Sequence, residues 1–288
     1  MDSACTNHDS RARWLWLALL LPVLATGCSG LFQNLGAKWV TRQIATEFDL
    51  DEAQTAQTRA SVERLIAAAP AALSSKVEML VATVDAAISR GFTEQNLIGM
   101  ERQVDKLLDV VAGAIIDEAS PVLASMRDDQ LDFAEARMTE RLEEAREEIE
   151  APHEERLEKR ADSFVEAVED WAGEISEAQE RSLRTFVSRL PDEAEVRLAA
   201  DEKRLERVGE VLRTHPGPEA VREALWREWK NREDWGPQAR PPAARRAEGR
   251  QAILFVYGLF TPEQKVHASE HLHELHGKLK SFFGAVGS

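Results

Sequence analysis

The chain has 288 residues, of which 43% are apolar and 30% are charged, so it can bury a substantial core. Its net charge of −15 repels phosphate backbones and anionic headgroups. We therefore expect no nucleic-acid partner, and we expect any membrane attachment to need a covalent anchor.

The first predicted element is a secretion signal over residues 1–27. Arg11 and Arg13 precede an apolar run over residues 14–24, which suits a signal core and is too short for a bilayer span of about 20 residues. Small residues then come directly before Cys28, and this order resembles the lipobox of bacterial lipoproteins. The alternative is an ordinary signal peptide with a chance cysteine, but the run length and the register of the cysteine favour the lipobox.

The lipobox resemblance implies that Cys28 becomes the first residue of the mature protein. Its thiol then carries diacylglycerol and its amino group an acyl chain such as palmitate, and several chains together anchor a protein stably. Ser29, rather than an aspartate, follows Cys28, which by resemblance to lipoprotein sorting implies the periplasmic face of the outer membrane. Cys5 lies in the removed segment, so we expect no disulfide in the mature domain.

The mature segment, residues 28–288, is predicted to be an all-α, elongated multi-helix bundle in the periplasm. Ala, Glu, Leu and Arg dominate it, and the alternation typical of strands is nearly absent. In chain order, we predict helix starts at Leu31, after Leu50, at Pro70, after Thr93 and at Pro121. An acidic helical stretch follows over 130–174 with a break at Pro152, and Pro191 separates two later helices. We further predict a turn at 215–218, a flexible loop at 236–243, a helix rather than a strand over 252–260, and a last helix from Pro262.

One local pattern recurs four times: a hydrophobic residue is followed four positions later by glutamine. Such a glutamine can accept a hydrogen bond from the backbone N–H of the residue three positions earlier, the N-cap of a helix. We interpret the pattern first as a set of good helix caps. In three of the four cases the N-cap is Asp, Ser or Thr, which gives the predicted capping pairs Asp51 with Gln54, Ser176 with Gln179 and Thr261 with Gln264; the fourth case runs from Met126 to Gln130.

Five short motifs stand out along the predicted helices: Asn34-Leu35 with Trp39, Phe48 to Gln54, Arg156 with Lys159-Arg160, Trp171 to Gln179, and Phe260 to Gln264. Together they resemble an uncharacterised family of proteobacterial outer-membrane lipoproteins, known as a domain of unknown function. The resemblance implies an all-helical envelope lipoprotein and supplies no catalytic residues. A weaker likeness links residues 260–264 to the Leu-Thr-x-x-Gln signature of small periplasmic stress chaperones and metal-responsive sensors.

The C-terminal helix holds four of the seven histidines. Residues three and four apart share one helix flank, and imidazole with carboxylate suits Zn²⁺, Ni²⁺ or Cu²⁺. The alternative is a solvated or pH-sensitive histidine surface. The candidate metal ligands on this flank are His267, Glu270, His271 and Glu274.

The remaining charged and aromatic segments do not form a recognisable catalytic site. The acidic run over 143–158 is better explained as a solvated face, and packing explains much of the aromatic and basic segment 222–235. The local basic patch of Arg240, Arg245, Arg246 and Arg250 is interpreted as a solvated linker, and contact with phospholipid or peptidoglycan is the alternative. We therefore expect a non-enzymatic, lipid-anchored protein that binds or scaffolds envelope proteins and uses no cofactor beyond its lipid. A metal-responsive or chaperone-like protein using the histidine helix is the alternative, and a cell-wall hydrolase ranks third.

Overall fold

The computed structural model describes residues 31–286, which contain ten α-helices and no strand. The all-α fold is therefore confirmed for this part of the chain, whereas the signal segment and Cys28 lie outside it. The helices are α1 (Leu31–Glu47), α2 (Glu52–Arg90), α3 (Glu94–Leu123), α4 (Asp128–Glu150), α5 (His153–Ala172), α6 (Glu177–Val187), α7 (Ala194–Arg213), α8 (Pro218–Lys230), α9 (Pro242–Leu259) and α10 (Pro262–Val286).

The centre of the fold is an antiparallel hairpin of α2 and α3. Gly91 ends α2 with a φ of 105°, which favours glycine, and the hydroxyl of Thr93 caps the start of α3 as predicted. Ala87, Leu97 and Met100 are buried where the two helices meet beside this turn. A short turn and an apolar stripe on each helix thus account for the hairpin.

The other helices are layered on this hairpin. Helix α1 packs on the first half of α2, α10 packs antiparallel on its second half, and α8 and α9 pack on α3; α4 pairs with α7, and α5 with α6 and α10. Buried apolar side chains form several small clusters, such as the one in which Val168 and Leu183 meet Phe255 between α5, α6 and α9. An elongated bundle results, because no single core gathers all the helices.

Two of the predicted helix boundaries at prolines are wrong. Pro70 does not begin a new helix but lies inside the continuous helix α2, and Pro121 lies in the last turns of α3. Packing partners hold α2 on both sides of Pro70, so the lost backbone hydrogen bond does not end the helix. Helix α3 ends instead at Leu123, where the Ser125 hydroxyl donates to the Val122 carbonyl at 2.7 Å.

The remaining predicted breaks agree with the structure. Pro152 precedes α5, Pro191 lies between α6 and α7, and a turn precedes Pro218. The apolar run over 252–260 is helical up to Leu259, as predicted. The loop predicted at 236–243 is non-helical only up to residue 241, because α9 begins at Pro242. Within it the backbone N–H of Arg240 donates to the Glu193 carboxylate at 3.0 Å.

The spacing of two contacts between α2 and α3 indicates that α2 bends between them. The Ser61 hydroxyl donates to the Glu118 carbonyl and the Gln103 amide donates to the Thr83 hydroxyl, each at 3.4 Å. More residues lie between these two contacts on α2 than on α3, and both helices rise by about 1.5 Å per residue. The middle of α2 therefore cannot run straight beside α3, and proline is a usual place for such a bend.

Candidate functional site

The structure brings the four recurring glutamines together in two pairs. In the first glutamine junction, Gln54 at the start of α2 meets Gln130 at the start of α4. The Gln54 amide donates to the Gln130 side-chain oxygen at 3.1 Å, and the Gln130 amide donates back at 2.6 Å. The same two amides also donate to backbone carbonyls, Gln54 to Ser125 at 3.0 Å and Gln130 to Asp49 at 2.7 Å. Both glutamines are buried.

The second glutamine junction repeats this geometry where α6 and α10 begin. The Gln179 amide donates to the Gln264 side-chain oxygen at 2.7 Å, and the Gln264 amide donates back at 3.3 Å. Gln179 also donates to the Leu259 carbonyl at 2.7 Å, and Gln264 to the Glu174 carbonyl at 2.9 Å. In both junctions the backbone acceptor lies five positions before the partner glutamine, so the two sites are equivalent.

Each of these glutamines also caps its own helix. Its side-chain oxygen accepts from the backbone N–H of the N-cap residue three positions earlier, and a glutamate in a capping box would do the same. Only an amide, however, also donates to a second helix, since a carboxylate has no N–H. These cap bonds join Asp51 to Gln54 at 3.1 Å, Arg127 to Gln130 at 3.1 Å, Ser176 to Gln179 at 2.9 Å and Thr261 to Gln264 at 2.9 Å.

The two junctions therefore fasten helix starts at opposite ends of α2. The first junction lies at the N-terminus of α2. The second includes the Leu259 carbonyl at the end of α9, and α9 contacts the other end of α2, where the Tyr257 hydroxyl donates to the Ile88 carbonyl at 2.9 Å. The sequence pattern indicated the individual caps but not their pairing. The available signal was that all four positions hold glutamine, although capping alone accepts glutamate equally well.

An ion pair on the surface stabilises the first junction. Arg127 contacts the carboxylate of Asp51 at 2.9 Å. The backbone N–H of Gln54 lowers the pKa of Asp51 below its ordinary value of 3.8, and Arg127 lowers this pKa further. The cap of α2 thus keeps its negative charge at the positive end of the helix dipole.

The histidine helix lies against the C-terminal end of α5. Nδ1 of His267 donates to the Trp171 carbonyl at 3.1 Å, and the His271 ring meets the Trp171 indole edge-on at 5.1 Å between centroids. Glu270 is exposed, and Glu274 pairs with Lys278 at 2.8 Å. The structure therefore places His267, His271 and Glu274 in contact with other protein groups and Glu270 at the surface. Within residues 31–286, no three metal-ligating side chains gather around one point.

The aromatic and basic residues of α8 and α9 face α3. The Trp229 indole N–H and the Lys230 ammonium both donate to Asp109 at 2.8 Å. The hydrogen bond from Lys230 lowers the pKa of the Asp109 carboxyl, and the bond from Trp229 and the charge of Arg232 lower this pKa further. Arg246 contacts Asp105 at 2.7 Å in the same way. These groups tie helices together, which agrees with the expectation that packing explains much of the tryptophan segment. The interpretation of the arginine patch as a solvated linker is wrong at Arg246, which lies in α9 and pairs with Asp105.

Fold and junctions together define the class: an elongated all-helical bundle whose helix starts are fastened in pairs by reciprocal glutamine amides. Residues 47–237, which are most of the chain, match the family of unknown function DUF6279. The protein belongs to this family. The matched segment includes the first junction and Gln179, whereas Gln264 lies beyond it. Neither a curated protein nor a solved structure gives a significant match.

Proposed function

We propose that this protein is a lipid-anchored periplasmic protein that binds or scaffolds other envelope proteins and catalyses no reaction. The observation that carries the proposal is the N-terminal order of basic residues, a short apolar run and small residues before Cys28. Diacylglycerol and an acyl chain on Cys28 would anchor the domain, and Ser29 favours the outer membrane. The lipid is the only group we propose to be attached.

The contacts of the folded domain support binding through helix surfaces. Its buried glutamines and many of its arginines bond to neighbouring helices, as Gln54 does to Gln130 and Arg246 to Asp105. Such contacts stiffen an elongated bundle and leave its exposed helix faces available to partners. Rigid faces favour binding, since little conformational entropy is lost when a partner docks.

Replacing Cys28 tests the anchor. We expect the Cys28→Ala protein to lose acylation and to leave the membrane fraction of cells, because its lipid attachment atom is gone. Cys5→Ala is the matched control, since Cys5 lies in the segment that we expect to be removed, and this variant should behave as the native protein. A Cys28→Ala protein that is still acylated and still sediments with membranes would contradict the proposal.

Crosslinking in living cells, followed by mass spectrometry, tests the scaffolding role. We expect the native, membrane-anchored protein to capture one dominant envelope partner at fixed positions. Capture of many unrelated exported proteins would contradict a dedicated scaffold and would favour the chaperone-like alternative.

The alternative function uses α10. Its start, Phe260 to Gln264, resembles the signature of periplasmic stress chaperones, and the structure joins this motif to Gln179. A metal-responsive protein should bind Ni²⁺, Cu²⁺ or Zn²⁺ saturably, and the double variant His267→Ala, His271→Ala should abolish this binding. Unchanged binding in the double variant would exclude the site. A chaperone should suppress the aggregation of an unfolded client at up to equimolar ratio.

A further inference from the structure

A groove lies on the exposed side of α6, where α6 meets α9. Its volume is about 370 Å³. Two arginines, Arg181 and Arg189, line it together with Phe186 of α6 and Phe255 of α9. None of its lining residues carries a carboxylate, although the whole chain has a net charge of −15. We call this site the α6 groove.

The two phenylalanine rings of the groove stack on each other, and this decides what they offer a ligand. The ring centroids of Phe186 and Phe255 are 4.5 Å apart, with 12° between the ring planes, and Phe164 of α5 stacks on Phe186 at 6.1 Å. Because other rings stack on it, Phe186 presents its edge rather than its face to the groove. A ring edge carries partial positive charge, so it tolerates a nearby anion, whereas the negative face would repel one.

The fold leaves the two groove arginines available to a ligand. Arg189 is exposed and forms no ion pair within the part of the chain that the structure describes. Arg181 contacts Glu177 at 3.3 Å, but their side chains are 69% and 90% exposed, and such a surface pair contributes little. Arg184 of the same helix differs, because it contacts Asp162 of α5 at 2.7 Å. Carboxylates from outside can therefore pair with Arg181 and Arg189 without breaking a contact between helices.

The arginines are also the main hydrogen-bond donors of the groove. The Ser182 hydroxyl donates to the Ala178 carbonyl and the Thr185 hydroxyl donates to the Arg181 carbonyl, each at 2.8 Å. Both hydroxyl protons are thus used within α6. Recognition of an anion is left to the guanidinium groups, which bind a carboxylate through two parallel hydrogen bonds.

The spacing of the two arginines favours an extended ligand. Arg189 follows Arg181 by eight positions, which correspond to about 12 Å along a helix axis. In an extended peptide every second side chain points to the same side, and four residues rise by about 13 Å. Carboxylates at the first and fifth positions of such a peptide match the two arginines. An apolar side chain at the third position then lies between them, as Phe186 lies between the arginines in α6.

We propose that the α6 groove binds an extended acidic segment of a partner protein, with acidic side chains at the first and fifth positions and an apolar side chain at the third. This inference rests on the proposed binding function and names the chemistry of the partner. The net charge of −15 repels acidic segments from most of the surface, whereas the groove attracts them. Such a segment therefore binds at one place and in one register.

Binding of a synthetic peptide tests the α6 groove. The probe is the rhodamine-labelled peptide Gly-Ser-Asp-Ser-Leu-Ser-Asp-Ser-Gly, titrated with the full chain in a nonionic detergent and followed by fluorescence anisotropy. We expect saturable binding. It should weaken about tenfold when both aspartates of the peptide are replaced by asparagine, because the carboxylates are lost. It should weaken about threefold when the leucine is replaced by glycine, because the apolar contact is lost.

Variants of the protein locate the binding site. The double variant Arg181→Ala, Arg189→Ala should weaken binding of the aspartate peptide about tenfold. The double variant Arg59→Ala, Arg102→Ala is the matched control, since it removes the same charge at exposed arginines of α2 and α3, and it should bind as the native protein does. Equal losses in the two double variants, or equal binding of the aspartate and asparagine peptides to the native protein, would overturn the proposal.

Crosslinking in living cells separates this inference from the proposed function. Where the native protein captures one dominant partner, the Arg181→Ala, Arg189→Ala protein should capture several times less of it. Equal capture by the two proteins would overturn the α6 groove as the docking site and leave the scaffolding role intact. Scattered capture by the native protein would overturn the scaffolding role and, with it, the partner inferred for the groove.

Discussion

A glutamine side chain carries no charge at ordinary pH, so the contact between the glutamines of each junction rests on hydrogen bonds and not on charge. Each amide group donates twice, once to the partner amide and once to a backbone carbonyl, and each side-chain oxygen accepts at least twice. Buried amides that satisfy all their hydrogen bonds cost little and fix a unique arrangement. Removing one member takes away a donor and an acceptor from the partner glutamine and the donor from one backbone carbonyl.

We therefore predict that Gln130→Ala lowers the free energy of unfolding by about 2–4 kcal/mol, because the Gln54 side chain loses one acceptor and one donor and the Asp49 carbonyl loses its donor. Urea denaturation followed by circular dichroism measures this loss. Asn96→Ala is the matched control, since Asn96 completes a capping box with Thr93 at the exposed start of α3, where a lost cap costs about 1 kcal/mol. Equal losses in the two variants would contradict the prediction.

A double-mutant cycle checks the pairing itself. Replacing Gln54 and Gln130 together should cost less than the sum of the two single replacements, because one removal already breaks the shared bonds. Gln54 and Gln264 belong to different junctions, so their losses should add within about 0.5 kcal/mol. Additive losses for Gln54 and Gln130 would show that the pair makes no energetic contribution of its own.

The sequence allowed the caps at Gln54, Gln179 and Gln264 to be predicted, because a cap depends on residues three positions apart. The bond from the Arg127 N–H to Gln130 was not predicted, since arginine is not a usual N-cap residue. The pairing of Gln54 with Gln130 could not be predicted in the same way, because it depends on how distant helices pack. The same difference applies to His267: its place on a helix flank followed from spacing, whereas its bond to the Trp171 carbonyl depends on how α10 meets α5.

At the scale of whole elements, one arginine of the neighbouring helix α5 stabilises the C-terminal end of the short helix α6. The guanidinium of Arg160 in α5 donates to the carbonyls of Val187, Leu190 and Pro191, at 2.9, 3.1 and 3.2 Å. These carbonyls lie at and just beyond the end of α6, where a helix has no internal donors left and where the helix dipole favours a cation.

We predict that Arg160→Ala lowers the free energy of unfolding by about 1–3 kcal/mol, because three carbonyls lose a charged donor. Amide hydrogen exchange should show the loss first over residues 183–191. Arg189→Ala is the control, since Arg189 is an exposed arginine at the same end of α6 and should change stability by less than about 0.5 kcal/mol. No difference between the two variants would contradict the assigned role of Arg160.

Helix boundaries were predicted well wherever a capping residue marked them. Prolines were a mixed guide, because Pro152 and Pro191 lie at true breaks whereas Pro70 and Pro121 lie inside helices. Pro70 removes one backbone hydrogen bond, but α1 and α10 hold α2 on either side of it. Local sequence shows the cost of a proline and not the packing that offsets this cost.

Pro70→Ala should therefore stabilise the protein, by about 1–3 kcal/mol, because an alanine restores the missing backbone bond and favours the helix. Thermal unfolding measures the gain. Pro262→Ala serves as the control, since Pro262 occupies the first position of α10, where a missing N–H costs nothing. A Pro70→Ala protein that is less stable than the native one would show that the bend of α2 is required by the fold.

On the scale of the whole molecule, ion pairs between helices oppose the repulsion that a net charge of −15 creates. Glu228 of α8 is 8% exposed and accepts from Arg207 of α7 at 2.9 Å. Hydrogen bonds from Arg207 lower the pKa of Glu228 below its ordinary value of 4.5. A carboxyl whose pKa is lowered by folding stabilises the protein above that ordinary value, and this contribution disappears as the pH falls through the lowered pKa.

Glu228→Gln should accordingly lower the free energy of unfolding by about 1–3 kcal/mol at pH 7, where the carboxylate of the native protein is fully charged. As the pH falls below about 4, the native protein loses the same interaction, so the difference between the two proteins should shrink. Urea denaturation at pH 7, 5 and 3.5 measures this convergence. Glu144→Gln, on the exposed surface of α4, should change stability little at each pH. A difference that stays constant down to pH 3.5 would mean that Glu228 contributes through packing rather than through its charge.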